Sequence, residues 1–434
     1  AAHLLNEHLN RLGTRGFGFR EAVLVGGPSK SAVWPDIIAE ITGLELTVGS
    51  EHAGAKGAAM LAEIGTRVYQ SKENTGTGSD GISTAPAPVT DKSIYDKELR
   101  DFLPPKIFDA HVHLFDRSCL KPSAQFAAKN TYEKFGGVFS KEQYLQWIER
   151  LFPEQQYRFN SFGTPSYDSD LDASAAYTGT VSDNQRFFGM ALISPHDTLE
   201  AIRHRVETNR LIGYKPYLRF VDWKEPNDVT IHDMLTHEHM QFADERGLAI
   251  TLHIPRSQRL ADPLNQTQMV ELCRRYPDTK IIFAHIGRAY YLRNVLGFLD
   301  GIAQCPNAYV DTAMVNHEGV LEYTFTHFPR ERILFGSDAP IAFLYGKSVE
   351  INNQYAYLMA EDYEIGTSIY DAKAAVNFTT FYYEQLRGIK LAAERAGLSR
   401  NDVEGVFFNN ADRLFRQVAD RNYAKKIGRR PRPK

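Results

Sequence analysis

Cysteine is scarce in this chain. Its 434 residues hold three, Cys119, Cys273 and Cys305. They are far apart and form no CxxC pair, which excludes a disulfide framework and a cysteine-rich zinc site and suits a reducing, cytoplasmic compartment. Charge of one sign is also missing. The 50 Lys and Arg stand against 53 Asp and Glu, a net charge of −3, so nothing recommends nucleic acid as a partner. No apolar run reaches the ~18 residues of a membrane span. No basic stretch leads into an apolar one near the N-terminus, so no secretory signal is legible. What remains is a globular composition, long enough for a large core and two domains.

Residues 1–70 read as a small α/β segment. Residues 1–12 are helix-like, Glu21-Ala22-Val23-Leu24-Val25 is a short apolar strand ending on Gly26-Gly27, 34–42 has helical spacing, 44–48 is strand-like, and 53–64 is an Ala-rich helix. A strand, glycines and a helix in that order can present backbone N–H groups to a phosphate. Gly-Gly-Pro-Ser-Lys-Ser is neither a P-loop nor GxGxxG, however, and a tight turn accounts for it. Together with Trp34, Ile41-Thr42-Gly43-Leu44 and Gly54-Ala55-Lys56-Gly57-Ala58-Ala59, this stretch resembles the C-terminal end of an FGGY-type carbohydrate kinase. That family's first domain has no counterpart here, so no phosphoryl transfer is expected. Residues 71–102, rich in Gly, Ser, Thr and Pro, have the composition of a linker.

From 103 to 418, strand-like and helix-like segments alternate. Apolar runs stand at 106–111, 157–162, 186–193, 213–220, 248–254, 280–285, 308–312 and 332–336. Helical patterns cover 141–151, 198–210, 235–246, 265–276 and 289–303, the first opened by Ser140 with Gln143 three residues on, a capping box. Eight buried strands, each followed by a helix, predict an α/β fold of the (β/α)8 TIM-barrel type, with a doubly wound sheet as the alternative. Residues 345–415 read as largely helical, and 419–434 as a basic, solvated tail.

In a parallel barrel, chemistry gathers at the C-terminal ends of the strands. Four of the runs end in metal-ligand or acid–base residue types: His111-Val112-His113, His253-Ile254-Pro255-Arg256, His285-Ile286-Gly287-Arg288 and Gly336-Ser337-Asp338. On a strand, His111 and His113 share one face. A single histidine at a strand end is more often structural, but four such ends make chance a poor explanation. Imidazoles with a carboxylate suit a divalent metal, Zn²⁺ first and Mn²⁺ as the alternative. Arg256, Arg259 and Arg288 lie on the same loops, with Arg219 near the fourth strand. Guanidinium groups there would read an anionic substrate bidentately, against the plain alternative of surface pairing with residues such as Asp262. Lys215, within the fourth run, has three readings: a metal-bridging carbamate, a substrate-carboxylate binder, or a structural lysine. Asp311 either orients a site residue or serves as a buried hydrogen-bonding group. His237-Glu238-His239 repeats the spacing of the first motif, but it reads as an exposed helix on which the two rings diverge.

The order His-x-His, His, His, Asp at strands one, five, six and eight resembles the amidohydrolase superfamily, in its amidohydrolase-related branch. The likeness runs over 105–417 and includes the late Asn409-Asn410-Ala411-Asp412-Arg413-Leu414-Phe415. It implies that His111, His113 and His253 hold the metal, and that Asp338 is a further ligand or the base that deprotonates the attacking water. It implies that His285 stands behind the ligands or faces the substrate as an acid–base group. The activity it implies is metal-dependent hydrolysis of a lactone, ester or amide carbonyl; the arginines point to a small anionic substrate, and the kinase-like segment to a sugar-derived one. A non-oxidative decarboxylase of an unsaturated or aromatic acid, and a non-catalytic ligand-binding protein, are the alternatives. Nucleic acid and membrane are not expected partners; homo-oligomer formation is left open.

Overall fold

The computed structural model describes residues 21–24, 33–48, 89–124, 135, 137–363 and 365–424. The chain divides into two units, Ala1–Gly78 and Ser79–Lys434. In the first, β1 (Glu21–Leu24) pairs in parallel with β2 (Glu45–Val48), and helix α1 (Trp34–Thr42) lies between them in sequence. Proline in the first turn opens α1, and Gly43, left-handed at φ 67°, closes it by donating its N–H to Ala39 O. The helices expected at 1–12 and 53–64, the glycine turn after β1 and most of the linker lie outside the described residues.

In the second unit, eight strand positions close into a barrel. β3 (Lys106–His113), β4 (Gln156–Phe162) and β5 (Phe187–Gly189) form one parallel sheet. β6 (Ala191–Ile193), β7 (Gly213–Pro216), β8 (Ala249–Leu252), β9 (Lys280–Phe283), β10 (Ala308–Asp311) and β11 (Ile333–Leu334) form the other. β5 and β6 are one stretch interrupted at Met190, whose N–H still donates to Ser161 O at 2.9 Å, so this third strand position joins the two sheets. The remaining seam lies between β11 and β3. There Ala110 N–H donates to Phe335 O (2.9 Å), Asp338 N–H to His111 O (2.8 Å) and His113 N–H to Ala339 O (2.8 Å).

The inside of β3 changes face along its length. Phe108 and Ala110 belong to the interior cluster, with Phe162, Phe188, Ile212, Ala249, Ile282 and Leu334. Val112, of the same parity, belongs to the outer cluster against the helices. The pairing with β4 shifts register between Asp109 and Val112. That irregularity turns His111 and His113 into the barrel.

The helices pack outside. α2 (Lys141–Leu151) starts with Ser140 and Gln143 capping each other, and buries Tyr144, Ile148 and Leu151 along one face. α3 (Leu171–Val181), α4 (Leu199–Thr208), α5 (His237–Arg246), α6 (Pro263–Arg275), α7 (Glu318–His327) and α8 (Phe381–Arg395) follow. α9 (Asn410–Tyr423) closes the end opposite the histidines, with the Phe415 ring tilted against Phe108 at 5.3 Å and Phe188 at 5.9 Å. It runs into the stretch read as tail because Val418 and Ala419 still pack in the interior.

Three expectations are corrected. Only Asp300–Ala303 of 289–303 is α-helical, since Gly297 turns left-handed (φ 79°) and Leu292 N–H is drawn to Glu350 Oε2 (2.9 Å). Residues 345–415 are not largely helical at their start. β12 (Gly346–Ile351) and β13 (Gln354–Met359) form a hairpin, turned by Asn352 and Asn353 at φ 51° and 58°, and β14 (Ser368–Tyr370) adds to β13 in parallel. Finally, α5 is a helix as expected, but His239 is buried and its Nε2 donates to Asp197 O at 3.1 Å. All three cysteines are buried and unbridged. Among the described residues, no helix is long and apolar enough to cross a membrane.

Candidate metal centre

His111, His113, Lys215, His253, His285, Asp311 and Asp338 stand at or just past the C-terminal ends of β3, β7, β8, β9, β10 and β11. All but Asp338 are buried, and its side chain is 14% exposed.

The imidazoles are fixed by what their Nδ1 atoms meet. His111 Nδ1 donates to Asp311 Oδ2 (2.9 Å), His113 Nδ1 to Gly163 O (2.7 Å) and His285 Nδ1 to Ala313 O (2.9 Å). A carbonyl or carboxylate partner requires the proton on Nδ1, which leaves each Nε2 with a free lone pair. Asp338 Oδ1 lies 3.4 Å from His111 Nε2 and 3.3 Å from His113 Nε2. Ligand atoms of His111, His285 and Asp338 all fall within 4.8 Å of one another. Lys215 Nζ stands in the same space, 2.8 Å from His111 Nε2 and 3.2 Å from His113 Nε2. The lysine nitrogen therefore lies within hydrogen-bond reach of both lone pairs. His253 packs on Tyr217 (4.7 Å) and edge-on to His285 (5.3 Å), and its Nδ1 is buried with no partner among the described residues. Imidazole lone pairs, a carboxylate and an orphaned imidazole nitrogen make a donor set that fits a divalent ion.

Burial, reinforced by the Lys215 charge, pushes the pKa of His111 and His113 down. Burial does the same for His253, with Arg288 adding to it. Burial also lowers Lys215 to about 7 against the pull of Asp338 and Asp311. For Asp338, burial raises the carboxyl, but His111, His113 and His285 together hold it below the usual range, so it is a carboxylate.

The backbone is bent to deliver these groups. His285, Ile286, Gly287 and Arg288 are all left-handed, at φ 58°, 53°, 62° and 61°, and Asp338 is at 70°. Such values in Ile286 and Asp338 are strained and persist only where surrounding bonds enforce them. His285 N–H is held by Asp311 Oδ1 at 2.7 Å. Asp109, passed over in the sequence, does the same for β3 and β11. Its Oδ1 accepts from His111 N–H (3.1 Å) and Ser337 N–H (2.8 Å), and its Oδ2 from the hydroxyls of Tyr144 (2.9 Å) and Ser337 (2.5 Å). An acidic residue inside an otherwise apolar strand, two before the first histidine, was the available signal.

A family model described as Amidohydrolase matches residues 108–417. The chain belongs to the amidohydrolase family. Among solved structures it is similar to amidohydrolase 2 from Bifidobacterium longum subsp. infantis, at 13% identity, covering 72% of this chain and 99% of that one with a TM-score of 0.46. It is also similar to a 5-carboxyvanillate decarboxylase of Novosphingobium aromaticivorans with bound manganese, at 12% identity, 72% and 97% coverage and a TM-score of 0.43. A 63-residue stretch is 38% identical to the L-xylulose/3-keto-L-gulonate kinase of Escherichia coli (strain K12). That match spans 14% of this chain and only 13% of the kinase.

Around this amidohydrolase centre the arginines divide. Arg256 is tied down, its Nε on Asp262 Oδ2 (2.9 Å) and its Nη1 on Asn227 O (3.1 Å). Arg288 gives Nη1 to Ile254 O (2.9 Å), while its Nε is buried without a partner among the described residues. Arg259 lies 4.3 Å from the Tyr355 ring and 5.3 Å from the Tyr290 ring, with Nε likewise unmatched. Tyr290 and Tyr355 stack at 4.7 Å, so the β12–β13 hairpin supplies an aromatic wall that the sequence did not reveal.

Proposed function

We propose that this amidohydrolase is a metal-dependent hydrolase acting on the carbonyl of a small anionic substrate. The observation that carries the reading is the set of three imidazoles, each tied at Nδ1 to an acceptor and presenting Nε2 near the Asp338 carboxylate. In this reading His111, His113, His253 and Asp338 hold the ion. A bound divalent ion, Zn²⁺ or Mn²⁺, supplies Lewis acidity and lowers the pKa of water toward neutrality.

The chain's own residues do the rest. Asp338, held ionised, takes the proton of the attacking water at a carboxylate oxygen. His285, its Nδ1 proton held on Ala313 O, has Nε2 free to take up the proton that Asp338 removes from the water and to pass it to the leaving oxygen or nitrogen. Arg288 and Arg259, with donors unmatched, and Lys215 receive the substrate's anionic group; Arg256, closed by Asp262, serves mainly to fasten its loop. The kinase likeness supports a sugar-acid lactone as substrate class. Unbridged cysteines support a reducing, cytoplasmic location.

Lys215 Nζ inside the centre favours a second reading, loss of CO₂ from a substrate carboxylate placed against it. Purified protein loaded with Zn²⁺ or Mn²⁺ and assayed on sugar lactones, by acid release, and on aryl acids, by CO₂ release, separates the two. Acid release that vanishes on chelation is expected. CO₂ release without lactone opening would overturn the hydrolase reading.

A further inference from the structure

A cavity of about 440 Å³ is lined by residues of the loops after β3, β4, β6 and β7, with Leu171 of α3 and Arg205 of α4. Two of these loops begin on residues that touch the histidines. The loop after β4 starts at Gly163, whose carbonyl holds His113, and continues to Tyr167 and Ser169. The loop after β7 starts at Tyr217, which packs on His253, and continues to Arg219 and Asp222.

Most of the charged groups lining the cavity are already satisfied. Arg205 is held by Asp172 (2.5 Å) and Asp197 (2.6 Å). Asp222 accepts from His196 Nε2 (2.9 Å), and Asp170 caps α3 through the N–H groups of Asp172 and Ala173. Two cations remain. Arg219 has no carboxylate partner among the described residues, and its guanidinium rests 5.7 Å from the Tyr167 ring. Lys121 Nζ makes one bond, to Tyr167 O at 2.9 Å, which leaves two of its three donors unused among the described residues. Tyr167, which lines the cavity, is 62% exposed, and Trp223, one residue past Asp222 and edge-on to the cavity residue His196, is 50% exposed. By contrast, the cavity at the opposite end of the barrel has its Arg158 closed by Asp412 and lies away from the histidines.

Resting on the reading of the strand ends as a catalytic metal centre, we propose that this cavity is a substrate subsite. Arg219 and Lys121 take a second oxyanion, a carboxylate or a phosphate monoester, apart from the group received by Arg288, Arg259 and Lys215 and remote from the reacting carbonyl. Tyr167 and Trp223 flank the carbon skeleton that leads to it. Guanidinium and ammonium groups without a carboxylate partner among the described residues suit such an oxyanion.

The test titrates inorganic phosphate, glutarate and, as a neutral control, glycerol into the full-length protein, following Trp223 emission. Trp223→Phe identifies that residue's share of the signal. Saturable response to the anions and none to glycerol is expected, with binding about tenfold weaker in the Arg219→Gln/Lys121→Gln double variant. Tighter glutarate assigns a carboxylate, and tighter phosphate a phosphate ester. Wild-type affinity in the double variant would overturn the subsite. The same titration on chelator-treated protein keeps this outcome separate from the metal reading, which is judged by metal content and turnover.

Discussion

His111 Nδ1 and Asp311 Oδ2 lie 2.9 Å apart, both wholly buried. The other oxygen of that carboxylate accepts the backbone N–H of His285 at 2.7 Å and of Ala313 at 3.2 Å. One side chain thus sets the tautomer of one imidazole and the backbone course of another. Asp311→Asn is expected to weaken divalent-ion affinity by about 10–100-fold with the far-ultraviolet circular dichroism unchanged. Wild-type affinity by calorimetry would remove this positioning role.

Lys215 Nζ sits between the Nε2 atoms of His111 and His113. Two cations cannot share that space without repulsion. Lys215→Met, which keeps the buried volume, is expected to tighten ion binding by roughly tenfold and to raise KM for an anionic substrate. Loss of the ion in this variant would instead identify the lysine as a ligand, as a bridging carbamate would require.

His253 and His285 divide two tasks. His253→Asn should lower ion content, since its buried Nδ1 is the orphaned donor atom. His285→Asn should leave more of the ion in place and lower kcat by about 10²–10⁴-fold. Ion lost only from His285→Asn, measured by elemental analysis, would exchange the two assignments, as the closeness of His285 to His111 and Asp338 would allow.

Asp91 is buried, and burial raises its carboxyl to about 6 despite the Tyr345 hydroxyl that donates to it at 3.0 Å. A carboxyl raised on folding holds its proton more tightly in the native state. Stability therefore falls as pH rises from about 4 to about 6 and stays lower above that. Asp91→Asn is expected to flatten this part of the pH profile and to stabilise the protein at pH 7 by roughly 1–3 kcal/mol. Urea unfolding at pH 4 and pH 7 checks it; an unchanged difference between the two would refute it.

The sequence by itself determined the eight strand positions, because a buried parallel strand must be apolar over its whole length and the chain alternates such runs with amphipathic helices. It also marked His111, His113, His253, His285 and Asp338, because four apolar runs closing on metal-ligand residue types are too many for chance. Only the tertiary structure decided which way those side chains face. Alternation alone puts His111 on the side opposite Phe108 and Ala110, and the register shift before Val112 reverses the side that faces inward. The hairpin turned by Asn352 and Asn353 escaped a helical reading of its neighbourhood, so the aromatic wall it brings to Tyr290 and Arg259 was invisible. Asp311 remained ambiguous and Asp109 went unnoticed for one reason. Their partners His285 and Ser337 lie 26 and 228 residues away, and hydrogen bonds at such separations follow from the closure of the barrel, which no local pattern encodes.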